Sequence, residues 1–412
     1  MTSPTFPRFL VQNAPFLGTG AFLTFLSCFG QTFLISVFAG EIRHEFGLSH
    51  GQWGGIFTLG TALSAIAMVW AGALADRFRV RVLGPIVLAG LAAACLLMAA
   101  NTAVAGLVLV IFLLRFFGQG MLSHLAVVSM ARWFVATRGR ALSIASLGFR
   151  AGEALMPLLL VSLLGFFEWR HLWLASALIC LAGIPILMRL LSKERTPGDL
   201  AKGDSSLGMG GAHWTRAETL RSPLFWMMIP ALLGPPAFGT ALFFHQVHIA
   251  EIKGLGHAGL VALFPVYTIV SIAVMVVSGW ALDRMGTARL VPYHQLPMIA
   301  AFVIFATANG PLTMLAGFVC FAMSTGASAT LQPAFWAEFY GTAHIGSIKA
   351  LATAVMVFGS AIGPGLTGIV IDFGIGLETQ FMAVGAYFLL TTGLMTMGVG
   401  RARRLLGAGP AL

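Results

Sequence analysis

The chain has 412 residues, 58% of them hydrophobic and 9% charged, with a mean hydropathy of +0.90. Water-facing domains carry roughly 25% charged residues, so these proportions exclude an ordinary soluble globular protein. The formal net charge of +10 raises nucleic acid as a partner, and the placement of the basic residues decides that question.

Apolar runs of about twenty residues, enough to cross ~30 Å of hydrocarbon at ~1.5 Å per residue, recur along the whole chain. They predict an all-α integral membrane protein with twelve transmembrane helices, near 17–40, 53–75, 83–101, 105–130, 140–164, 169–191, 223–249, 258–282, 290–308, 311–336, 345–371 and 379–400. The runs are apolar throughout, which does not suit a barrel strand with its alternating faces. Met1 to Phe16 carries one charge, Arg8, without a basic start or a small-residue cleavage site, and is expected to be a short cytoplasmic tail. Cys28, Cys95, Cys180 and Cys320 fall in four different spans at no metal-ligand or redox spacing, so they are read as small apolar residues.

If both termini lie on one side, the loops and ends on that side hold Arg8, Arg77, Arg79, Arg81, Arg132, Arg138, Arg140, Lys193, Arg195, Lys202, Arg216, Arg221, Arg284, Arg289, Lys349, Arg401, Arg403 and Arg404. The opposite loops hold only Arg43, Arg170 and Lys253. This is the positive-inside pattern. It places both termini in the cytoplasm, makes the chain a multi-pass protein of the plasma (inner) membrane, and removes the need for a nucleic-acid partner.

The polar stretch 192–222 reads as a cytoplasmic linker between a six-helix bundle over 1–191 and a second over 223–412. Internal repetition supports the division. Gly72-Ala73-Leu74-Ala75-Asp76-Arg77 closes the second span and Gly279-Trp280-Ala281-Leu282-Asp283-Arg284 the eighth. Gly148, Gly152 and Pro157 in the fifth span are echoed by Gly359, Gly363 and Pro364 in the eleventh, and Arg132-Trp133-Phe134 by Glu338-Phe339-Tyr340.

Charged side chains in mid-membrane are costly and mark function by default. Arg115 and Arg150 lie about ten residues into the fourth and fifth spans, and Glu153 is one turn beyond Arg150. Glu153 can pair with Arg150 on the same helix face or reach Arg115 across the bundle. Either pairing leaves one arginine over, a rigid donor for an anionic substrate, with Glu153 as the candidate proton-coupling group. The bland alternative is a charge network that only fixes helix packing.

The stretch Gly72, Asp76, Arg77, Arg79, Arg81, with its shorter copy Gly279, Asp283, Arg284, resembles the signature between spans two and three of the major facilitator superfamily. The resemblance implies two six-helix bundles related by a pseudo-two-fold axis, working by alternating access. It also implies a cytoplasmic gate at Gly72, Asp76, Arg77, Arg81, Asp283 and Arg284, in which the glycine lets helices approach and the aspartate holds the charge network. A carboxylate near a helix start with arginines beside it agrees with that role. Gly30-Gln31-Thr32 and Trp336 to Gly341 are similar to a bacterial branch near the monocarboxylate and oxalate/formate carriers.

The resemblance further implies that spans one, four, seven and ten line the central cavity. The polar candidates there are Gln31 and Thr32, Arg115 with Gln119 and Ser123, His245 and Gln246, and Ser324, Thr325 and Ser328. His124 points away from Arg115 and is left out. His245 and His248 follow an expected kink at Gly234-Pro235-Pro236, and they lack a third ligand for a metal. Small hydroxyl residues on the tenth span are more often packing groups than ligands.

No nucleotide loop of the G-x-x-x-x-G-K-[ST] kind and no H-E-x-x-H or G-x-S-x-G motif occurs. The sequence therefore reads as a secondary active transporter and not an enzyme, with no cofactor and no metal. The expected activity is uptake of a small carboxylate-type anion by symport with a proton, one chain sufficing as a monomer in the lipid bilayer. A carrier of a neutral or aromatic solute such as a riboflavin-type vitamin, stacking on Phe116, Phe117, Phe149, Phe243 or Phe244, is the alternative, as is a drug or metabolite exporter. If Asp76 holds the gate, Asp76→Asn slows turnover severely while substrate binding, measured by equilibrium titration, survives; normal transport rates in that variant remove the gate.

Overall fold

The computed structural model describes residues 6–134, 137–192 and 207–406. Lys193 to Asp204, the charged part of the expected linker, lies outside the described residues, as do the side chains of Asp76 and Arg138. Among the described residues there is no strand. Twelve helical stretches are long and apolar enough to cross a bilayer: Arg8–Gly30, His50–Ala71, Val80–Ala100, Val104–Trp133, Gly139–Leu164, Trp169–Leu190, Pro223–Phe244, Gly256–Met285, Thr287–Thr307, Pro311–Tyr340, Ile345–Asp372 and Leu377–Leu405.

The first span begins earlier than its hydropathy suggests, because the helix Phe6–Leu26 takes in most of the expected tail. Phe9, Phe16 and Leu17 bury against Met130, Phe134, Ala141 and Ala145. The Asn13 amide donates to the Phe9 carbonyl at 2.8 Å, so its polarity is satisfied within the helix.

The described residues fall into two compact units, 6–48 with 55–192 and 49–54 with 207–406. In the first, the first span packs on the fifth and fourth and the third on the sixth. In the second, the seventh packs on the eleventh, the eighth on the tenth, and the ninth on the tenth and twelfth. Lipid gives no hydrophobic drive between helices, so close backbone approach at small residues supplies the attraction. A methyl group at Gly148 would strike the Ala21 carbonyl of the first span, and one at Gly152 the Cys28 sulfur. The repeat behaves alike: at Gly359 a methyl would lie 2.7 Å from the Leu233 carbonyl, and at Gly363 it would strike that of Ala237.

The seventh helix, Pro223–Phe244, runs through Gly234-Pro235-Pro236 and ends at His245, so the break falls nine residues beyond the second proline of the expected kink. Pro235 has no N–H to return to the Ala231 carbonyl. Gln295 Nε2 donates to that carbonyl instead, at 2.6 Å.

The side poor in basic residues is stapled twice. In the first unit Arg170 donates to the Asn101 carbonyl at 2.7 Å and to that of Ala99, and pairs with Glu45. Hydrogen bonding from Arg170 holds the Glu45 carboxyl below its usual range. In the second unit Lys253 donates to the Ala306 carbonyl at 3.0 Å and pairs with Glu378. Both cations meet the carbonyl end of a helix, the third span or the ninth, where the dipole favours them. Arg43, the remaining basic residue expected on this side, donates to the Leu48 carbonyl at 3.3 Å.

Gly363→Val is expected to lower stability by about 1–3 kcal/mol through overpacking against Ala237, seen as a lower Tm in detergent. Gly346→Ala, which meets nothing within 4 Å, serves as the control and leaves Tm unchanged; equal shifts in the two would mean that the close approach carries no weight.

Candidate functional site: a buried arginine between two broken helices

The site in the first unit arises where two spans lose regular helix geometry at the same depth. The first span tightens to a 3-10 turn over Ser27–Gly30, becomes extended at Gln31 (φ −88°, ψ 151°), and restarts at Thr32–Ile35. The fourth span widens to a π-helical run over Arg115–Leu122. Glycines permit the crossing: a methyl at Gly30 would lie 2.7 Å from Gly118 Cα, and one at Gly118 would lie 2.6 Å from Gly30 Cα. π-Helical turns inside helices recur at functional sites, and broken spans are where carriers place ligands.

Arg115 fills this crossing and is 2% exposed. Its Nη1 donates to the Gly30 carbonyl and to Thr32 Oγ1, each at 3.2 Å. Its guanidinium carbon sits 5.2 Å from the Phe57 ring centre, a cation–π contact. Its Nε is buried without a hydrogen-bond partner. Burying a cation costs several kcal/mol when no anion accompanies it, and two neutral acceptors with one ring offset only part of that.

Glu153 is 5% exposed and pairs with Arg150 at 2.7 Å within the fifth span. Of the two pairings the sequence allows, the local one forms, and Arg115 is the arginine left over. The Arg150 guanidinium lies 5.9 Å from the Phe149 ring. Gln31 is buried and Gln119 half-buried on the π-helical run beside Arg115. The crossing thus gathers Gln31, Thr32, Arg115 and Gln119, with Phe57 added. Periodicity does not reveal Phe57 or the π-helical run; the glycines at 118 and 120, flanking Gln119, are the only local signal of the latter.

The remaining candidates belong to the second unit. His245 interrupts the seventh span (φ −91°, ψ 20°) before the short helix Gln246–Ile252, a counterpart of the break at Gln31. His245 Nε2 lies 3.1 Å from the Pro364 carbonyl, so it donates. Gln246 is 1% exposed. The His248 ring lies against His50, tilted by 47° with centroids 4.3 Å apart, and its Nδ1 stands 3.6 Å from Glu251. Thr325 turns its hydroxyl back to the Phe321 and Ala322 carbonyls of its own helix, both at 3.2 Å, and Ser324 donates to the His294 carbonyl at 2.9 Å. Among the described residues no group of three or more His, Cys, Asp or Glu stands ready for a metal.

At the signature, the second span ends at Ala71 and one helical turn, Leu74–Arg77, follows Gly72. The Gly72 carbonyl lies 3.2 Å from His124 Nε2, and Arg132 donates to the Ala75 carbonyl at 2.7 Å. A methyl at Gly72 would lie 3.0 Å from the Met68 carbonyl of its own span and 3.6 Å from that histidine. Arg77 and Arg81 are exposed. In the second copy Asp283 is exposed, and Arg284 lies 4.0 Å over the Trp280 ring. Glu338 accepts there from Thr287 N–H at 3.2 Å and from its hydroxyl at 2.6 Å.

Twelve helical spans, an internal repeat, and a buried cation where two of them break define a membrane carrier. The sequence profile of the Major Facilitator Superfamily matches residues 20–364, and the chain belongs to that superfamily. It is a multi-pass membrane transporter of small molecules and not an enzyme. Among solved structures, it is similar to a bacterial homolog of the human lysosomal transporter Spinster in an inward-facing, unoccupied conformation, with 15% identity over 95% of this chain and 98% of that one and a TM-score of 0.69. A mutant of the nucleoside transporter NupG gives 15% identity over 95% and 99% of the two chains and a TM-score of 0.66. At such identity these likenesses speak for the fold alone. No curated protein matches the sequence.

If the Arg150–Glu153 pair is coupled, Glu153→Leu alone leaves a cation uncompensated and lowers Tm more than the double variant Arg150→Met with Glu153→Leu. Equal losses in single and double variants would show the two residues acting independently.

Proposed function

We propose that this carrier takes up a small carboxylate-type anion together with a proton, by alternating access, in the plasma (inner) membrane with both termini cytoplasmic and one chain as the working unit. The observation that carries the reading is Arg115, a buried mid-span cation with no carboxylate on it and a buried Nε–H without a partner. Its Nη1 edge is taken by Gly30 and Thr32, so the Nε edge is the one left for a planar two-oxygen acceptor. With Arg150 neutralised by Glu153, the mid-span charges of the first unit sum to one positive charge, which suits a monoanion. Glu153 is the proton carrier in this scheme: protonation releases Arg150, and its return resets the pair. Energy comes from solute or proton gradients, and the bundles move about the site.

The similarity of Gly30-Gln31-Thr32 to the monocarboxylate and oxalate/formate branch is part of this reading, and Gly30 and Thr32 supply the two acceptors on Arg115. Gly72, Asp76, Arg77, Arg81, Asp283 and Arg284 remain the proposed cytoplasmic gate, and Gln31, Gln119, His245, Gln246 and Thr325 the proposed further contacts. A neutral aromatic substrate is favoured less. Phe116 and Phe117 pack on each other at 5.0 Å, and Phe117 fills the space beside Gly90, where a methyl would lie 2.5 Å from the ring.

A thermal-shift screen of the detergent-purified protein tests the proposal. A ligand at a hundred times its Kd adds about 2.7 kcal/mol, so a small monocarboxylate should raise Tm clearly in the wild type and not in Arg115→Ala. Arg115→Lys, which keeps the charge but loses the two-pronged donor, should bind at least tenfold more weakly. Stabilisation of all three proteins alike by a neutral ring compound would overturn the anion reading.

A further inference from the structure

Thr61 lies midway along the second span, His50–Ala71, and is 4% exposed. Its Oγ1 is buried with no hydrogen-bond partner among the described residues. A serine or threonine inside a helix can turn its hydroxyl back to a carbonyl one turn earlier, and Thr19, Ser36 and Ser176 do so here with Pro15, Thr32 and Leu172. Thr61 does not, which leaves its O–H available to an acceptor outside its own helix.

Residues three and four apart share a helix face, and the stripe of Phe57, Thr61, Ser64 and Met68 is the inward one. Phe57, Thr61 and Ser64 are buried, whereas Leu59, Leu63, Ile66 and Val69 are exposed. Both ends of the stripe meet the fourth span. The Phe57 ring centre lies 5.2 Å from the Arg115 guanidinium carbon, and a methyl at Gly120 would lie 2.8 Å from Met68 Sδ. Gly60, the residue before Thr61, is pressed on the same span, where a methyl would lie 3.0 Å from the Phe112 nitrogen. With Gly60 beside Phe112 and Met68 beside Gly120, the level of Thr61 is that at which the π-helical run begins with Arg115. Arg115 Nε is the other buried polar atom there without a partner.

We infer that Thr61 is a second anchor for the substrate: the carboxylate proposed above as the ligand of Arg115 takes the Nε–H on one oxygen and the Thr61 hydroxyl on the other. The inference rests on that anion reading and extends it to the second span. A guanidinium N–H only donates, and a hydroxyl can donate as well, so one anion with two acceptor oxygens satisfies both groups. Such a hydrogen bond to a charged acceptor is among the stronger ones, more so in a dry site. Because the two donors stand on different spans, a bound carboxylate also ties the second span to the fourth within the first unit.

Thermal-shift titrations of the full-length purified protein with acetate, propionate, lactate and pyruvate test this in the wild type, Thr61→Val, Thr61→Ser and Arg115→Ala. Valine keeps the shape of threonine and removes the hydroxyl. For whichever acid binds the wild type, Thr61→Val should raise Kd about tenfold or more. Its ligand-free Tm should stay level or rise, because a buried hydroxyl without a partner is gone. Thr61→Ser, which restores the hydroxyl, should recover most of the lost affinity. A wild-type Kd in Thr61→Val, with binding lost in Arg115→Ala, would overturn this inference and leave the anion reading standing. A lower ligand-free Tm in Thr61→Val with no change in Kd would make the hydroxyl a support for Arg115 alone and overturn it equally. If none of the four acids binds the wild type, the anion reading falls and this inference with it.

Discussion

Hydrocarbon supplies no hydrogen-bond partner to a peptide group, and the irregular parts of this protein follow from that constraint. At several places where a span departs from regular helix, a side chain bridges to another span. Arg115 takes the Gly30 carbonyl where the first span becomes extended, and His245 donates to the Pro364 carbonyl in the eleventh. Gln295 stands in for the missing donor at Pro235. Arg115 therefore has two tasks at once. It completes the backbone of a broken helix, and in the proposed mechanism its unpartnered Nε offers the buried positive charge to a ligand.

That double task explains why the break and the arginine occur together. A broken first span without Arg115 would leave a carbonyl bare, while Arg115 without the break would have no backbone acceptor at Gly30. The glycines at 30 and 118 let the two spans come close enough for the exchange. Glu153, which would otherwise quench Arg115, is held one turn away by Arg150 on its own helix.

The two units solve the same structural problems with opposite charges. On the side poor in basic residues, Glu45 pairs with Arg170 in the first unit, whereas Lys253 pairs with Glu378 in the second. In both, the cation also meets the last carbonyls of a neighbouring span. At the other side, Arg132 donates to the loop after the second span, and Glu338 accepts from the loop after the eighth. The difference at this side follows from which end is met: a helix C-terminus offers carbonyls, which take Arg132 at Ala75, and an N-terminus offers N–H groups, which take Glu338 at Thr287. An inverted pair keeps the geometry while erasing the sequence match, so the repeat is faint in the residues and plain in the contacts. It also accounts for Arg170 and Lys253, two of the three basic residues on that side, as structural parts of the fold.

The sequence by itself determined the fold class, because length and unbroken hydropathy point to membrane helices and the distribution of arginine and lysine supports an even number of spans. It also singled out Arg115, Arg150 and Glu153, since any charge in mid-span is exceptional. The glycine echo at 148, 152, 359 and 363 was legible for the same reason, small residues at helical spacing having few other uses in lipid. Only the tertiary structure decided which arginine Glu153 neutralises, because both partners lie within reach on paper and the choice rests on how the fourth and fifth spans are turned. It alone moved the break of the seventh span from the prolines to His245, since Gln295 arrives from the ninth span to relieve Pro235. It alone disclosed the π-helical run at Arg115, whose cause is the close approach of another helix at Gly30 and not a preference of the residues that form it.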